Sequence, residues 1–369
     1  MDTSVQASFA AGTTVVGAGQ LRYEWPRDRT SARLVEDTRR ALACILAGDD
    51  DRLALIVGPC SIHDPEAAFE FARRLAPLRA RHADTLEIVM RVYFEKPRTR
   101  GGWKGLINDP WLDDSFRIDE GLRMARGILL GVNALGVPAA TEFLDPITTP
   151  YLEDLVSWGA IGARTTESQI HRQTASGLGA PVGFKNGSDG NVKIAIDGVL
   201  ASRAAHRYLR PADRGGIEIV ATSGNPHTHI VLRGGKTPNY DAHSIASACA
   251  ALRDAHLPPF VVVDASHGNS GKQTRAQLDV CEDLALQLEA GARAIAGVML
   301  ESFLVEGRQD IVPGRPLVFG QSVTDACLGW NDTARVIEQL SAAVAARRRS
   351  HVGAIARRIP GIALDAVSY

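Results

Sequence analysis

Six cationic residues lie at or just beyond the ends of apolar, strand-like runs of the sequence. They are Arg91, Lys96, Arg98, Arg164, Lys185 and Arg233. The fork of an arginine suits planar carboxylates and phosphates, and a lysine supplies a mobile point charge. One such arginine alone could equally pair with a carboxylate between helices. Cations at the ends of several strands instead favour a ligand with several negative charges, such as one that carries phosphate and carboxylate groups.

A second group of residues has the donor atoms of a metal site. Cys60, His267, Glu301 and Asp325 each end or follow an apolar run. One thiolate, one imidazole and two carboxylates suit a divalent transition metal such as Mn²⁺, Fe²⁺, Co²⁺ or Zn²⁺. Taken alone, Cys60 could also be a buried filler or a nucleophile with His267 as its base. Two nearby carboxylates would oppose thiolate formation unless a cation lies between them, which favours the metal site.

These residues meet only if the strands that carry them are neighbours. Strand-like runs alternate with helical patterns and cover residues 53–58, 86–94, 138–144, 160–164, 181–186, 217–234, 260–267 and 294–303. Eight strand–helix units, with strands rich in Val and Ile, predict an α/β fold. They favour a (β/α)8 TIM barrel rather than the alternative, an open doubly wound sheet. The active site of such a barrel lies at the carboxyl ends of the strands, where both groups of residues fall.

The two ends of the chain lie outside the repeated units. We expect an N-terminal arm over residues 1–31, the catalytic barrel over 32–349 and a short C-terminal tail over 350–369. Between the third and fourth strands, the pattern predicts a helix over 149–159.

The composition excludes several classes of partner. The 369-residue chain has a formal net charge of -1, so no global field favours nucleic acid or a membrane surface. No apolar run reaches membrane-spanning length, and the N-terminal residues lack the basic region and apolar core of a signal peptide. Five cysteines without C-x-x-C spacing indicate a reducing compartment. We therefore expect a cytoplasmic protein.

Nine ordered motifs resemble the type I family of 3-deoxy-D-arabino-heptulosonate 7-phosphate (DAHP) synthases. The motifs are GPCSIHD, MRVYFEKPRT, GWKGLINDP, GARTTESQIHR, PVGFKNGSDG, LRGGKTPNY, DASHGNSGKQ, GVMLESFLVEG and SVTDACLGW. The resemblance extends from about residue 32 to about residue 349. It implies a (β/α)8 barrel that condenses phosphoenolpyruvate with erythrose 4-phosphate and water. The products are DAHP and phosphate, and the reaction is the first step of the shikimate pathway.

The resemblance also implies a role for each matching position. The implied metal ligands are Cys60, His267, Glu301 and Asp325. The implied phosphoenolpyruvate-binding residues are Arg91, Lys96, Arg164, Lys185 and Arg233. The implied erythrose 4-phosphate residues are Lys96, Pro97, Arg98 and Thr99, with Arg98 and Thr99 on the phosphate. The family further implies a homodimer or homotetramer.

Candidates for proton transfer follow from their placement on or near the predicted strands. Lys96 is the candidate to protonate the developing alkoxide, Lys185 and Glu142 are candidates for handling the water at C2, and His267 is a further catalytic candidate. Two other functions stay open: a related phosphoenolpyruvate-dependent synthase with another aldose phosphate, and a non-catalytic homologue that binds aromatic metabolites. The intact KPRT favours the four-carbon aldehyde, and every expected metal ligand and phosphate-binding cation is present in the sequence.

Overall fold

The computed structural model describes residues 12–98, 100–312 and 314–358, with side chains up to residue 350. Eight parallel strands close into a barrel. They are β1 (Leu53–Gly58), β2 (Leu86–Arg91), β3 (Ala139–Glu142), β4 (Val156–Ile161), β5 (Val182–Lys185), β8 (Thr228–Leu232), β9 (Val261–Asp264) and β10 (Ile295–Glu301). Two short pairs lie outside it: antiparallel β6 (Arg207–Pro211) with β7 (Ile217–Ala221), and parallel β11 (Val305–Arg308) with β12 (Gln321–Ser322). The predicted (β/α)8 barrel is confirmed.

Helices separate most of the barrel strands and precede the first of them. They are α1 (Ala18–Glu24), α2 (Arg29–Ala47), α3 (Pro65–Arg81), α4 (Ile118–Ala134), α5 (Thr149–Leu152), α6 (Gln169–Gly177), α7 (Lys193–Arg203), α8 (Ala242–Asp254), α9 (Ala276–Glu289) and α10 (Trp330–Arg358). Among the described residues, none of these helices has the length and apolar character needed to span a membrane.

Apolar side chains fill the barrel interior and the layer between the strands and the helices. Ile56, Trp158 and Met299 belong to an inner cluster that also contains Leu42 and Ile45 of α2. The alternate residues of the strands pack outward against the helices. Leu42, Ile45 and Leu46 of α2 thus pack against the inner cluster, whereas Arg91, Glu142, Lys185, Asp264 and Glu301 are the last residues of their strands, at the carboxyl end of the barrel.

Local signals in the sequence set the ends of two helices. The carboxylate of Asp64 accepts hydrogen bonds from the backbone N–H groups of Glu66 and Ala67 at 2.9 and 3.2 Å, with Pro65 at the first helical position of α3. Gly48 ends α2 with a φ of 85°, a conformation that favours glycine.

The predicted strand over 217–234 is wrong as a single element. Residues 217–221 form β7 of the antiparallel hairpin, and the barrel strand β8 begins only at Thr228. Gly224 separates the two with a φ of +89°, and a Cβ there would lie 2.1 Å from the carbonyl oxygen of Arg203. The chain therefore turns tightly between two runs that look continuous in the sequence.

The predicted helix over 149–159 is wrong in its second half. Helix α5 ends at Leu152, a 3₁₀ turn covers Glu153–Leu155, and β4 begins at Val156 rather than at residue 160. Every residue of β4 is buried between β3 and β5. A short apolar run does not distinguish a helix from a buried strand, so the pairing within the barrel decides its structure.

Part of the predicted N-terminal arm packs against the barrel. Ala18 and Leu21 of α1 are buried in the core, and the N–H of Val16 donates to the carboxylate of Asp119 at 2.9 Å. Helix α2 begins at Arg29, and α10 continues past residue 349 to Arg358. Residues 1–11 of the predicted arm and 359–369 of the predicted tail lie outside the described residues.

Candidate active site

The register between β1 and β10 brings Cys60 next to Glu301. Gly58 at the end of β1 pairs with Glu301 at the end of β10, and Cys60 follows fully buried. Asp325 enters from the loop after β12. The Sγ atom of Cys60 and a carboxylate oxygen from each of Glu301 and Asp325 all lie within 4.8 Å of one another. Three of the predicted ligands are therefore close enough to bind one cation.

His267 lies beside this group. Its Nε2 atom is 3.8 Å from Oε1 of Glu301, and its Nδ1 atom is 2.9 Å from Oδ2 of Asp264 and 2.7 Å from Oγ of Ser266. If Nδ1–H donates to the Asp264 carboxylate, the lone pair of Nε2 faces Glu301. This tautomer and a carboxylate behind the ring are typical of a metal-ligating histidine.

The local charges fit a cation at Cys60. Burial, followed by the charge of Glu301, raises the pKa of the Cys60 thiol to about 11. The Nζ atom of Lys96 lies 3.0 Å from Sγ of Cys60. Burial opposes the ammonium form, but Cys60 and Glu301 hold the pKa of Lys96 above its ordinary value. A divalent cation would displace the thiol proton, and a thiolate with carboxylates and an imidazole suits a transition metal.

Arg91 is fully buried beside Glu301 and has an unused hydrogen-bond donor. Its Nη2 atom donates to Oε1 of Glu301 at 3.1 Å, and its Nε atom donates to the carbonyl oxygen of Pro59 at 3.3 Å. The guanidinium carbon lies 4.1 Å from the ring centroid of Tyr93. Among the described residues, Nη1 has no hydrogen-bond partner although it is buried. Because an unpaired buried donor is costly, Nη1 is suited to a bound acceptor.

Asp264 organises the opposite side of the site. It is fully buried at the end of β9, and its Oδ2 atom accepts a hydrogen bond from Nζ of Lys185 at 2.8 Å. Burial opposes its charged form, but His267 and Lys185 keep the pKa of Asp264 well below its ordinary value. One carboxylate therefore holds both a substrate-binding candidate and a metal-ligand candidate in place.

A cavity of about 300 Å³ opens above these groups at the carboxyl ends of the strands. Its cationic lining residues are Lys96, Arg98, Arg164, Lys185, Arg233 and Lys272. Pro97, Glu142, His267 and Asp325 also line it. The structure thus brings together the cations that the sequence predicted, with Arg91, Cys60 and Glu301 buried near them. Thr99, a predicted phosphate ligand, lies outside the described residues.

Contacts with main-chain atoms position two of the cations. The Nη1 atom of Arg164 donates to the carbonyl oxygen of Pro97 at 2.7 Å, and the Nε atom of Arg98 donates to that of Trp103 at 2.7 Å. The bond from Arg164 holds the loop after β2 against the loop after β4, and the bond from Arg98 lies within the loop after β2. Glu142 reaches close to Gly162, where a Cβ would lie 2.2 Å from Oε1 of Glu142. A side chain at residue 162 would therefore require the Glu142 carboxylate to move.

Known proteins match both the sequence and the fold. Residues 30–338 match the DAHP synthetase I family. The Trp-sensitive phospho-2-dehydro-3-deoxyheptonate aldolase of Escherichia coli O157:H7 is 57% identical over 334 residues, which cover 90% of this chain and 96% of that protein. The chain belongs to the DAHP synthetase I family.

Other relatives agree with this membership. The phospho-2-dehydro-3-deoxyheptonate aldolase of Haemophilus influenzae is 55% identical over 331 residues, covering 89% of this chain and 91% of that protein. The structure of phospho-2-dehydro-3-deoxyheptonate aldolase from Francisella tularensis SCHU S4 superimposes with a TM-score of 0.90 at 45% identity, covering 92% of this chain and all of that one. The chain is therefore an enzyme, a transferase with 3-deoxy-7-phosphoheptulonate synthase activity that serves the shikimate pathway to aromatic amino acids.

Two polar residues of this DAHP synthase site were not among the predicted ones. Asp264 ends the apolar run FVVVD, and its position opposite Lys185 depends on which strands are neighbours. Lys272 belongs to HGNSGK, which resembles a phosphate-binding loop but lacks its spacing. It nonetheless lines the cavity, with a φ of 61°. Its positive charge within the motif DASHGNSGKQ was the available signal.

Proposed function

We propose that the cavity joins C3 of phosphoenolpyruvate to the aldehyde carbon of erythrose 4-phosphate. The observation that carries this proposal is the convergence of six cationic side chains on one cavity beside a thiol and two carboxylates. The residues that would hold a divalent metal are Cys60, His267, Glu301 and Asp325. A bound Mn²⁺, Fe²⁺, Co²⁺ or Zn²⁺ would supply Lewis-acid polarisation of the aldehyde.

The floor and one wall of the cavity bind phosphoenolpyruvate in this proposal. Its carboxylate and phosphate would meet Arg91, Lys96, Arg164, Lys185 and Arg233. The buried Nη1 atom of Arg91 has no hydrogen-bond partner in the described part of the chain, which supports this assignment, because a carboxylate or phosphate oxygen would satisfy it. The Asp264–Lys185 ion pair supports a fixed orientation of the Lys185 ammonium.

The loop after β2 binds the aldose phosphate. Lys96, Pro97, Arg98 and Thr99 would contact erythrose 4-phosphate, with Arg98 and Thr99 on its phosphate. The hydrogen bond from Arg164 to the carbonyl oxygen of Pro97 supports this arrangement, because it joins a residue proposed for phosphoenolpyruvate to one proposed for erythrose 4-phosphate. Adjacent sites lower the entropic cost of bringing the two reacting carbons together.

The chemistry then needs one proton donor and one water. As the new C–C bond forms, the aldehyde oxygen becomes an alkoxide, which the Lys96 ammonium protonates. Water adds at C2, where the Lys185 ammonium orients it and the Glu142 carboxylate accepts its proton. Cleavage of the C2–O bond then releases phosphate, so that phosphoenolpyruvate, erythrose 4-phosphate and water give DAHP and phosphate.

Replacement of Lys96 tests the proton-donor role. We expect Lys96→Met to lower kcat by at least about 100-fold, since general-acid catalysis contributes about 10² or more. Lys104→Met is a matched control, because Lys104 is an exposed lysine of the same loop that does not line the cavity. Steady-state kinetics and direct substrate-binding measurements check this. Normal turnover by a Lys96→Met enzyme that binds both substrates would exclude the role.

We also propose that the enzyme is a cytoplasmic homodimer or homotetramer. The hairpin of β6 and β7 supports self-association, because Leu209, Ile217 and Ile219 project from it with 67%, 67% and 76% of their surface exposed. Apolar side chains grouped in this way commonly mark a protein interface.

A further inference from the structure

Glu95 is a buried carboxyl group between β2 and Lys96. It is 6% exposed, and its Oε2 atom lies 3.0 Å from Oγ1 of Thr148 in the loop after β3. One of these loops brings Lys96 and Pro97 to the cavity, and the other brings Leu144. The Glu95–Thr148 contact therefore joins two walls of the active site.

The hydrogen bonds of the Thr148 hydroxyl indicate whether the Glu95 carboxyl group is protonated. Its Oγ1 atom lies 3.0 Å from Oε2 of Glu95 and also 3.0 Å from the carbonyl oxygen of Asp145. A hydroxyl has one proton, and a carbonyl oxygen can only accept. Both bonds form together when a protonated Glu95 donates to Thr148 and Thr148 donates to Asp145. An ionised Glu95 would compete with the carbonyl for the hydroxyl proton.

Burial and the surrounding negative charges favour the same protonated form. Burial, followed by the charge of Asp145, raises the pKa of Glu95 to about 8, and Glu142 acts in the same direction. Hydrogen bonds to the carboxylate from Thr148 and from the backbone N–H of Asp145 act against this rise without cancelling it. Nearby cations face elsewhere: Nζ of Lys96 lies against Cys60, and Nη1 of Arg164 donates to Pro97. The ring of His171 contacts the carbonyl oxygen of Leu144 and Oγ of Ser168. Among the described residues, Glu95 forms no ion pair.

We propose that Glu95 is a positioning residue, a neutral carboxylic acid whose hydrogen bond to Thr148 fixes the loop that carries Lys96. The inference rests on the proposed role of Lys96 in proton transfer. Ionisation of Glu95 would place a new negative charge beside Asp145 and break the chain of hydrogen bonds. Lys96 would then lose its fixed position, and kcat would fall at alkaline pH without any change in the substrate-binding cations.

Two replacements of Glu95 separate positioning from packing. Glu95→Ala removes the hydrogen bond, and we expect kcat at pH 7 to fall about 10-fold or more while KM for phosphoenolpyruvate changes less than about 3-fold. Glu95→Gln keeps a neutral donor of the same shape. It should retain kcat within about 3-fold of the natural enzyme and show a smaller loss of kcat between pH 7.5 and 9.

Two further variants test the partners of Glu95. Thr148→Val should slow the enzyme as Glu95→Ala does, and the double variant should be no slower than the slower single one, because both remove the same link. Asp145→Asn removes the neighbouring negative charge, so the alkaline loss of kcat should move to lower pH. The main-chain contact of Oδ1 with Ile147 can persist in the asparagine variant.

Failure of the proposed Glu95 role can be distinguished from failure of the proposed Lys96 role. A Glu95→Gln enzyme as slow as Glu95→Ala, or one with an unchanged alkaline loss of kcat, would overturn the positioning role even if Lys96→Met is inactive. If Lys96→Met turns over normally, the proton-donor role fails instead, whatever Glu95 does. Circular dichroism and thermal melting identify a Glu95→Ala enzyme that fails to fold. The Glu95→Gln pH profile then decides alone.

Discussion

Cys60 combines a buried thiol with two acidic neighbours and a lysine. In the metal-free protein, burial and the charge of Glu301 hold its pKa near 11, so the sulfur carries a proton. A cation bound between Cys60, Glu301 and Asp325 would reverse this preference, because a thiolate is the better ligand. The same buried position that makes the thiol a poor nucleophile thus makes it a suitable metal ligand.

Replacement of Cys60 by serine removes the soft ligand and nearly preserves the volume. We expect Cys60→Ser to lower both the affinity for Mn²⁺ or Co²⁺ and kcat, each by at least about 100-fold. Mutation of residues that only hydrogen-bond to a metal ligand already lowers metal affinity or activity by about 10–100-fold. Metal titration and activity assays measure both, and circular dichroism checks the fold. Cys44→Ser, at an exposed cysteine, is the control. Unchanged metal affinity in the Cys60 variant would refute the ligand assignment.

Single residues differed in how well the sequence predicted them. Cys60 and Arg91 lie in long motifs at strand ends, so type and position pointed to the same role. Asp264 did not stand out, because a carboxylate after three valines gives no sign that Lys185 lies opposite it. That contact depends on the strand order of the barrel. Thr99 remains a prediction.

Among the elements, strand β8 carries His229, a buried histidine whose hydrogen bonds stabilise the barrel interior. The Nε1–H of Trp158 donates to Nε2 of His229 at 3.2 Å, and the Nδ1 atom of His229 lies 3.2 Å from the carbonyl oxygen of His227. Neutral imidazole with its proton on Nδ1 satisfies both contacts. Burial disfavours the charged imidazolium and lowers the pKa of His229 to about 4. A proton on Nε2 would also face the Nε1–H of Trp158, donor against donor.

This histidine predicts a pH dependence of stability. The unfolded chain binds a proton near pH 6.5 and the folded chain only near pH 4, so stability is full above pH 6.5 and falls as the pH drops. His229 should account for about 2 kcal/mol of lost unfolding free energy between pH 7 and pH 5. The unfolding free energy of His229→Gln, measured by urea unfolding at pH 7 and at pH 5, should fall between these pH values by about 2 kcal/mol less than that of the natural protein. His243→Gln, at an exposed histidine, is the control. An equal loss of unfolding free energy between pH 7 and pH 5 in all three proteins would contradict the prediction.

The strands were easier to predict than the elements between them. Runs such as LALIVG and FVVVD are apolar throughout, which is typical of strands buried on both faces. The hairpin of β6 and β7 was missed because β7 and β8 have similar composition and only the turn at Gly224 separates them. The start of β4 was misplaced because an apolar run of that length fits either a helix or a strand.

At the scale of the whole molecule, the exposed apolar hairpin predicts self-association. Replacing Ile219 with lysine places a charge at its most exposed apolar position and should lower the mass measured by light scattering. Leu286→Lys is a matched control, since Leu286 on α9 is 60% exposed and lies away from the hairpin. An oligomer unaffected by Ile219→Lys would place the interface elsewhere.

The barrel as a whole supports one central claim: its cations and its cysteine-containing site act together on two phosphorylated substrates. The most direct test is consumption of phosphoenolpyruvate in the presence of erythrose 4-phosphate, before and after EDTA and after Mn²⁺ or Co²⁺ is added back. We predict turnover that EDTA abolishes and either metal restores, with DAHP and phosphate formed in equal amounts. Turnover that persists after complete metal removal would contradict the proposed mechanism.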